Sequence, residues 1–336
     1  MRVYRFPATG RIEQLVLGEE PARTPGPGEV RVRLRAAALN YRDLMVAEGR
    51  YGRGSVPANL VPLSDGAGEV AETGPGVTRF ALGARVAGTF FQGWLGGEMD
   101  PADHAKALGG TIDGVLAEER IFPEDGLVAI PEHLSFEEAA ALPCAALTAW
   151  NALFTARPLH PGETVLTLGT GGVSTFAAQF AHAAGARVIA TSSSDAKLGR
   201  MRELGATDGL NYRTHPDWEQ EVWRLTEKRG VDHVVEVGGA GTLSRSIASA
   251  RLGGAVHLIG VLTGGEIDPA AILRRSVTVR GVFVGSREMF EAMNRMIALH
   301  RLRPVIDRVF PFTAAEDAYR HLKSAGHIGK VVIRID

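Results

Sequence analysis

The chain has 336 residues, 45% apolar and 22% charged, with a formal net charge of −1. This length allows two domains and a large buried core, and the near-zero charge excludes bulk electrostatic binding to nucleic acid or an acidic membrane. One cysteine, Cys144, excludes an internal disulfide and a cysteine-rich zinc module, and fits a reducing cytoplasm.

The opening, MRVYRFPATGR, lacks the apolar core of a signal peptide, so no secretory leader is expected. Up to residue 125, short alternating runs such as EVRVRLRAA, GAGEVAETG and GARVAGTF are broken by Gly and Pro, which predicts an irregular β-rich domain. FQGWLGGEMDPADHAKALGGTIDG has little periodicity and reads as a long polar loop, His104 and its acids included. LSFEEAAALPCAALTAWNALF is predicted helical. Strands are then predicted at 164–168, 187–191, near 209–212, and at 231–237, 255–259 and 277–284, with helix-length segments between them. That alternation is the pattern of a parallel, doubly wound sheet. The helix SREMFEAMNRMIALH leads into LRPVIDRVF and GKVVIRI, which are β-like and expected to rejoin the first domain. Residues 139–156 and 165–186 lack charge over about the length of a membrane span. They are rich in Ala and Gly and contain Pro143, Asn151, Gln179 and His182, so they read as buried soluble elements.

Gly-x-Gly spacing recurs along the chain, but only at Gly169 does it end a predicted strand and open a patterned helix. In that helix Val173, Phe176, Ala177, Phe180, Ala181 and Ala184 share one face. Such a turn lets backbone approach a pyrophosphate, and the helix N-terminus supplies free N–H groups. Gly169, Thr170, Gly171, Gly172, Val173 and Ser174 are therefore candidate cofactor-binding residues. Ser174 replaces the fingerprint's third glycine; it is small enough for close packing, and its hydroxyl is a candidate phosphate donor. A tight turn without a ligand is the alternative.

About 20 residues further on, where NAD-binding chains place an acid on the ribose, stands Ser192. An acid there would repel a 2′-phosphate, whereas serine donates to one. Ser193, Lys197, Tyr212 and Arg213 complete a candidate 2′-phosphate group, and NADP(H) is the expected cofactor. Asp195 is the rival ribose acid; it is read instead as the N-cap of the next helix.

These residues, with ALNYRDLMVAEGRY, DGAGEVAETGPGVTRFALGARV, ALPCAALTAWNAL, VVEVGGAGTL, GGAVHLIGVLTG and GKVVI, make the chain resemble the medium-chain dehydrogenase/reductases, in particular their zinc-independent, quinone-reductase-like branch. The resemblance implies an α/β fold. A Rossmann doubly wound parallel sheet at 126–285 would bind NADP(H), and residues 1–125 and 286–336 would form a GroES-like β-rich catalytic domain. It also implies that Thr148 lies near the nicotinamide, that Gly238, Gly260 and Val261 line its half of the cofactor, and that Phe283 and Val284 meet the carboxamide through their backbone. Lys197 and Tyr212 match positions that hold the 2′-phosphate. Lys330, in the closing Gly-Lys motif, is carried over as cofactor-binding, the alternative being a solvated end of an edge strand. A homodimer is expected through the strand in VTVRGVFVG, because bare edges tend to be covered.

Zinc alcohol dehydrogenases place a cysteine where this chain has LNYRD, a His-Glu pair where it has LSDGAG, another cysteine near residue 144, and often a four-cysteine lobe. One thiol cannot make such a site, and no two histidines stand at i, i+3 or i, i+4. No metal is expected. Polarisation of a substrate then falls to Asn40, as donor to a carbonyl oxygen, and to Tyr51, as proton donor; turn-fixing and packing are their structural alternatives. Asp65 is read as structural, and Trp94 either as a cover over the substrate or as local packing. The expected activity is hydride transfer to a quinone or an α,β-unsaturated carbonyl. Alcohol/aldehyde redox and non-catalytic NADPH binding stay open beside it.

Overall fold

The computed structural model describes residues 1–52 and 56–336. Two compact units emerge, one of Met1–Leu147 with Gly285–Asp336 and one of Thr148–Val284. The sequence expectation set that boundary at 126; the chain crosses later because helix 136–140 packs on strands of the first unit.

The chain starts with a β-ribbon of Arg2–Arg5 (β1) and Val16–Glu19 (β2). Glu29–Leu39 (β3), helix Tyr41–Ala47 (α1), Asp65–Thr73 (β4) and Arg85–Gly88 (β5) follow. Next come a single turn, Pro101–His104 (α2), then Glu119–Pro123 (β6), Leu127–Ala129 (β7) and Phe136–Ala140 (α3). The expected loop is packed rather than open: Phe90, Phe91, Trp94, Ala107 and Leu108 are all buried. Pro143 interrupts the alanine-rich run, which passes through a π-helical turn at Leu142–Ala146 into Leu147–Phe154 (α4).

The second unit alternates as predicted. Thr164–Leu168 (β8), Gly172–Ala183 (α5), Arg187–Ser192 (β9), Asp195–Glu203 (α6), Asp208–Asn211 (β10) and Trp218–Leu225 (α7) lead to Val231–Glu236 (β11). Ala240–Ser249 (α8), Ala250–Leu258 (β12), Pro269–Arg275 (α9) and Thr278–Gly281 (β13) complete it. The strands lie in the order β10-β9-β8-β11-β12-β13, all parallel. This is a Rossmann sheet. Every residue of β8 is buried, as expected of a central strand covered on both faces. Leu166, Ile189, Val234 and Val256 from the strands pack against Leu243 and Ile247 of α8.

The chain then returns through Arg287–His300 (α10), Ile306–Pro311 (β14), Ala315–Lys323 (α11) and Lys330–Arg334 (β15). β14 and β15 rejoin the first unit, whose sheet runs β14-β15-β3-β4-β5-β7 with β6 also on β3. Phe6, Leu34, Leu39, Phe122, Phe312, Tyr319 and Ile333 form its core. Among the described residues no helix is long and apolar enough to cross a membrane.

One polar feature sits inside the Rossmann sheet. His233 on β11 and His257 on β12 are buried, stacked, and joined by a 3.0 Å Nδ1···Nε2 hydrogen bond. His233 also meets Glu163 and the Arg157 guanidinium. Burial, reinforced by Arg157, lowers His233 to about 4, and burial with His233 beside it lowers His257 to about 3. Both are neutral in the folded protein, while in the unfolded chain they take up protons below about 6.5. Folding stability should therefore fall as pH drops from 6.5 towards 4, by on the order of 3 kcal/mol for each histidine. Denaturant titrations of the wild type and His257→Gln check this. The variant should show a shallower loss across that range; parallel curves would dissociate the pair from acid lability.

Candidate active site

The nucleotide side is built by the second unit. β8 ends at Leu168, Gly169 turns the chain with φ +70°, and Gly171 caps α5. That φ is strained for any residue with a Cβ. No atom lies within 4 Å of where a Cβ would stand on Gly169 or Gly171, so the space over the turn is open to a ligand. Thr170 is buried and Val173 half-buried. Ser174 is buried, and its hydroxyl donates to the Leu168 carbonyl at 2.6 Å. It ties helix to strand, so its proton is already engaged and not held out for a phosphate.

The parallel pairing of β9 with β10 sets Asn211 opposite Ser192, and the Tyr212 N–H donates to the Ser192 carbonyl at 3.0 Å. Ser192 and Tyr212, distant in sequence, thus share one end of the sheet. The Ser192 hydroxyl accepts from the Ser194 N–H at 3.3 Å. Ser193 and Lys197 are half-buried, and the Tyr212 side chain is exposed. The N-cap of α6 is Ser194, whose hydroxyl accepts from the Lys197 N–H, and not Asp195 as the sequence suggested. Asp195 is the first helical residue and accepts from the Asn211 side chain at 2.9 Å. A serine fits the cap because its short hydroxyl reaches the N–H three residues on, where the helix has an orphan donor.

At the far strand ends, Glu236 was missed by sequence reasoning. It is fully buried, yet its carboxylate accepts from the N–H groups of Gly238 (2.6 Å) and Gly239 (3.0 Å) and from the hydroxyls of Thr242 and Ser246. The start of α8 is thus filled by the protein's own anion. Gly260 packs so closely that a Cβ would stand 1.6 Å from the Val237 carbonyl oxygen. Val261 is 67% exposed. Thr148 is buried on α4. Phe283 is exposed, whereas Val284, at φ +52°, is buried and its carbonyl accepts from Asn151 Nδ2 at 2.8 Å.

The candidate catalytic residues belong to the first unit. Asn40 follows β3 and caps α1; its N–H donates to the Asp43 carboxylate at 2.7 Å. Lys330 begins β15, whose antiparallel register on β3 sets Val331 opposite Leu39. The Lys330 ammonium therefore lies beside Asn40, donating to its Oδ1 at 2.5 Å and to the Leu39 carbonyl at 2.7 Å. The Asp65 carboxylate is 3.7 Å away. Lys330 is only 3% exposed, and β15 lies between β14 and β3, so the lysine is neither solvated nor on an edge strand. Two of the ammonium's three N–H groups are thus engaged within the first unit. Among the described residues, Asn40 Nδ2 is buried with no hydrogen-bond partner.

Tyr51 is half-buried, with the Arg42 guanidinium 4.6 Å from its ring centre. Arg42 also lies over Phe90 and donates to the Leu108 carbonyl at 2.6 Å. Burial pushes the Asp43 carboxyl up to about 6, against the pull of Arg42. Trp94 packs locally: it is buried, donates to the Gly97 carbonyl, and meets Phe91 edge-on.

Asp65 and Cys144, in or near segments where zinc alcohol dehydrogenases place ligands, meet here. Asp65 accepts from Ser64 at 2.6 Å and from the Cys144 N–H at 3.1 Å. Burial pushes the Cys144 thiol well up, and the Asp65 charge adds to it. The Lys330 ammonium already holds the centre, and a dication beside it would be repelled. Among the described residues no cluster of His, Cys, Asp and Glu is arranged to hold a metal ion.

Comparison with known proteins gives two matching family models. The alcohol dehydrogenase GroES-like domain matches residues 26–132, and the zinc-binding dehydrogenase model matches residues 172–298. A zinc-type alcohol dehydrogenase-like protein of Schizosaccharomyces pombe is 47% identical, over 92% of each chain. A quinone oxidoreductase of Pseudomonas aeruginosa is 30% identical over 98% of each. The solved structure of an NAD-dependent alcohol dehydrogenase, 37% identical, superposes over 100% of each chain with a TM-score of 0.92.

Proposed function

Because the chain belongs to the medium-chain dehydrogenase/reductase family, we propose that this oxidoreductase works without a metal, taking NADPH as cofactor and a quinone or an α,β-unsaturated carbonyl as substrate. The observation that carries the reading is the Asn40 amide, with Oδ1 engaged by Lys330 and Nδ2 buried and unpartnered. An unpartnered buried donor is costly and calls for an acceptor. A carbonyl oxygen suits it, since its negative charge grows during reduction.

The open turn at Gly169–Gly172 would hold the pyrophosphate, and Ser192, Ser193, Lys197 and Tyr212 the 2′-phosphate. Thr148, Gly238, Gly260, Val261, Phe283 and Val284 would line the nicotinamide half. When bound, NADPH supplies the hydride that adds to the β-carbon of the enone. Asn40 donates to the carbonyl oxygen as it becomes an enolate. Tyr51 delivers the proton to the α-carbon and regains one from water. The sum is enone plus NADPH plus H⁺ giving saturated carbonyl plus NADP⁺.

Two further features belong to this reading. We place the protein in the cytoplasm. We also assign a homodimer to the edge of β13, which among the described residues pairs only with β12. Light scattering that finds only monomer at micromolar protein would remove the dimer.

Cofactor choice tests the phosphate group. A charge-assisted hydrogen bond is worth about 1.5–3 kcal/mol, roughly ten- to a hundredfold in affinity. Lys197→Ala should weaken NADPH by about that factor and spare NADH, and Ser192→Asp should reverse the preference. Equal effects on both cofactors would contradict the assignment. A second reading, NAD-dependent alcohol/aldehyde redox, is favoured by the name of the structural neighbour and by Asp195 beside Asn211. Turnover of alcohols with NAD⁺, abolished by Asp195→Ala and absent with enones, would select it.

A further inference from the structure

We propose that Lys330 is a positioning residue that replaces the metal of the zinc relatives, fixing the Asn40 amide with its N–H edge outward and supplying the centre's positive charge. The inference rests on the reading of Asn40 as the carbonyl donor. Three adjacent strands line up the parts. β15 presents Lys330 beside the end of β3, where Asn40 follows Leu39, and β4 begins with Asp65 opposite Ala38 of β3. The contacts join residues almost 300 apart in sequence, and the ammonium is 3% exposed.

Chemistry then decides the orientation of the amide. An ammonium has three donors and no acceptor, whereas an amide has a carbonyl edge and an NH₂ edge. With Nζ 2.5 Å from the side chain, only the carbonyl edge can face it, since the reversed amide would set donor against donor. Nδ2 must then point away, and it is this atom that lacks a partner. The bond from a charged donor to Oδ1 also polarises the amide, which makes its N–H a better donor. Asp65, shared with Ser64 and the Cys144 N–H, compensates the buried ammonium without neutralising it by direct contact. Asn40 and Asp65, which lie in segments where zinc alcohol dehydrogenases place ligands, thus flank a fixed monocation, and Cys144 joins them through Asp65.

The test uses Lys330→Met. Removing the lysine alone leaves Asp65 buried and unpaired, which endangers folding. Lys330→Met/Asp65→Asn is therefore compared with Asp65→Asn, melting curves confirming that both fold. We expect the added Lys330→Met to lower kcat on an enone by on the order of 100-fold with NADPH affinity unchanged, and Lys330→Arg to recover part of the loss. In an Asn40→Ala/Asp65→Asn background, the same Lys330→Met change should cost no further rate, because the amide it orients is gone. A folded Lys330→Met/Asp65→Asn enzyme with the kcat of Asp65→Asn overturns the inference, as do fully additive losses. If Asn40→Ala itself keeps full kcat, the reading of Asn40 fails instead; if Asn40→Ala loses rate and Lys330→Met does not, only the role of Lys330 fails.

Discussion

Asn40→Ala should lower kcat on an enone by on the order of 100- to 1,000-fold, with NADPH affinity nearly intact. Loss of one preorganised donor to a developing oxyanion costs about 2.7–4 kcal/mol. The donor here is already desolvated and pinned: Asn40 is 9% exposed and its other edge is bonded to Lys330. It pays no reorganisation at the moment of reaction. The effect should appear in kcat, because the interaction strengthens as charge develops on the oxygen. Asn40→Asp should be no better than alanine, since a carboxylate there would repel the enolate. Rapid-mixing kinetics with NADPH in excess isolates the chemical step. A variant that lost affinity for the nucleotide but kept its hydride-transfer rate would reduce Asn40 to a turn residue, consistent with its place at the start of α1.

Tyr51→Phe carries the second large effect, and its size should depend on the acceptor. With an enone the α-carbon must be protonated, and loss of a positioned general acid typically costs about 100- to 10,000-fold. With a quinone the reduced oxygens take protons from water, so the same variant should stay within roughly tenfold of the wild type. Arg42 holds the tyrosine from one side, its guanidinium 4.6 Å from the ring centre. The phenylalanine ring keeps that contact but loses the hydroxyl's own interaction with Arg42, so a melting curve accompanies the kinetics. Equal losses on both acceptors would assign Tyr51 to the wall of the site.

The Rossmann unit was largely legible in the sequence, for a physical reason. β8 runs Thr164–Leu168 as predicted because a central parallel strand is buried on both faces, and TVLTL is a short uncharged run of β-branched and leucine residues. Its helix α5 stands where helical spacing set it, but it is buried on all sides from Ser174 to Ala181 rather than along the single expected face, and Val173 and Ala184 are only half-buried. The edges were less legible. VTVRGVFVG predicts a strand over 277–284, yet only Thr278–Gly281 pairs, and Val284 turns away at φ +52°. The start of β12 at Ala250 was missed because its pairing with β11 shifts register between Val231 and His233, which local periodicity does not report. Local pattern also placed Ser192 and Tyr212 together, because strand order makes their ends neighbours. The centre around Asn40 was another matter. Its amide was chosen by family position, but the ammonium that orients it comes from a strand 290 residues away. A lysine heading the otherwise apolar run GKVVI was the one local sign, and it reads equally as a solvated strand end. Arg42 and Glu236 are similar cases: a buried charge is defined by partners that the fold brings together, not by its neighbours in the chain.

The central claim is reduction of an enone or quinone with NADPH by side-chain donors alone. The most direct measurement is single-turnover NADPH oxidation by protein stripped with a strong chelator, its metal content verified by elemental analysis, with an enone and then a quinone as acceptor. The metal-free protein should keep the full rate of the untreated protein on both. A near-stoichiometric zinc content in active protein, with the rate lost on stripping and restored by added zinc, would contradict it.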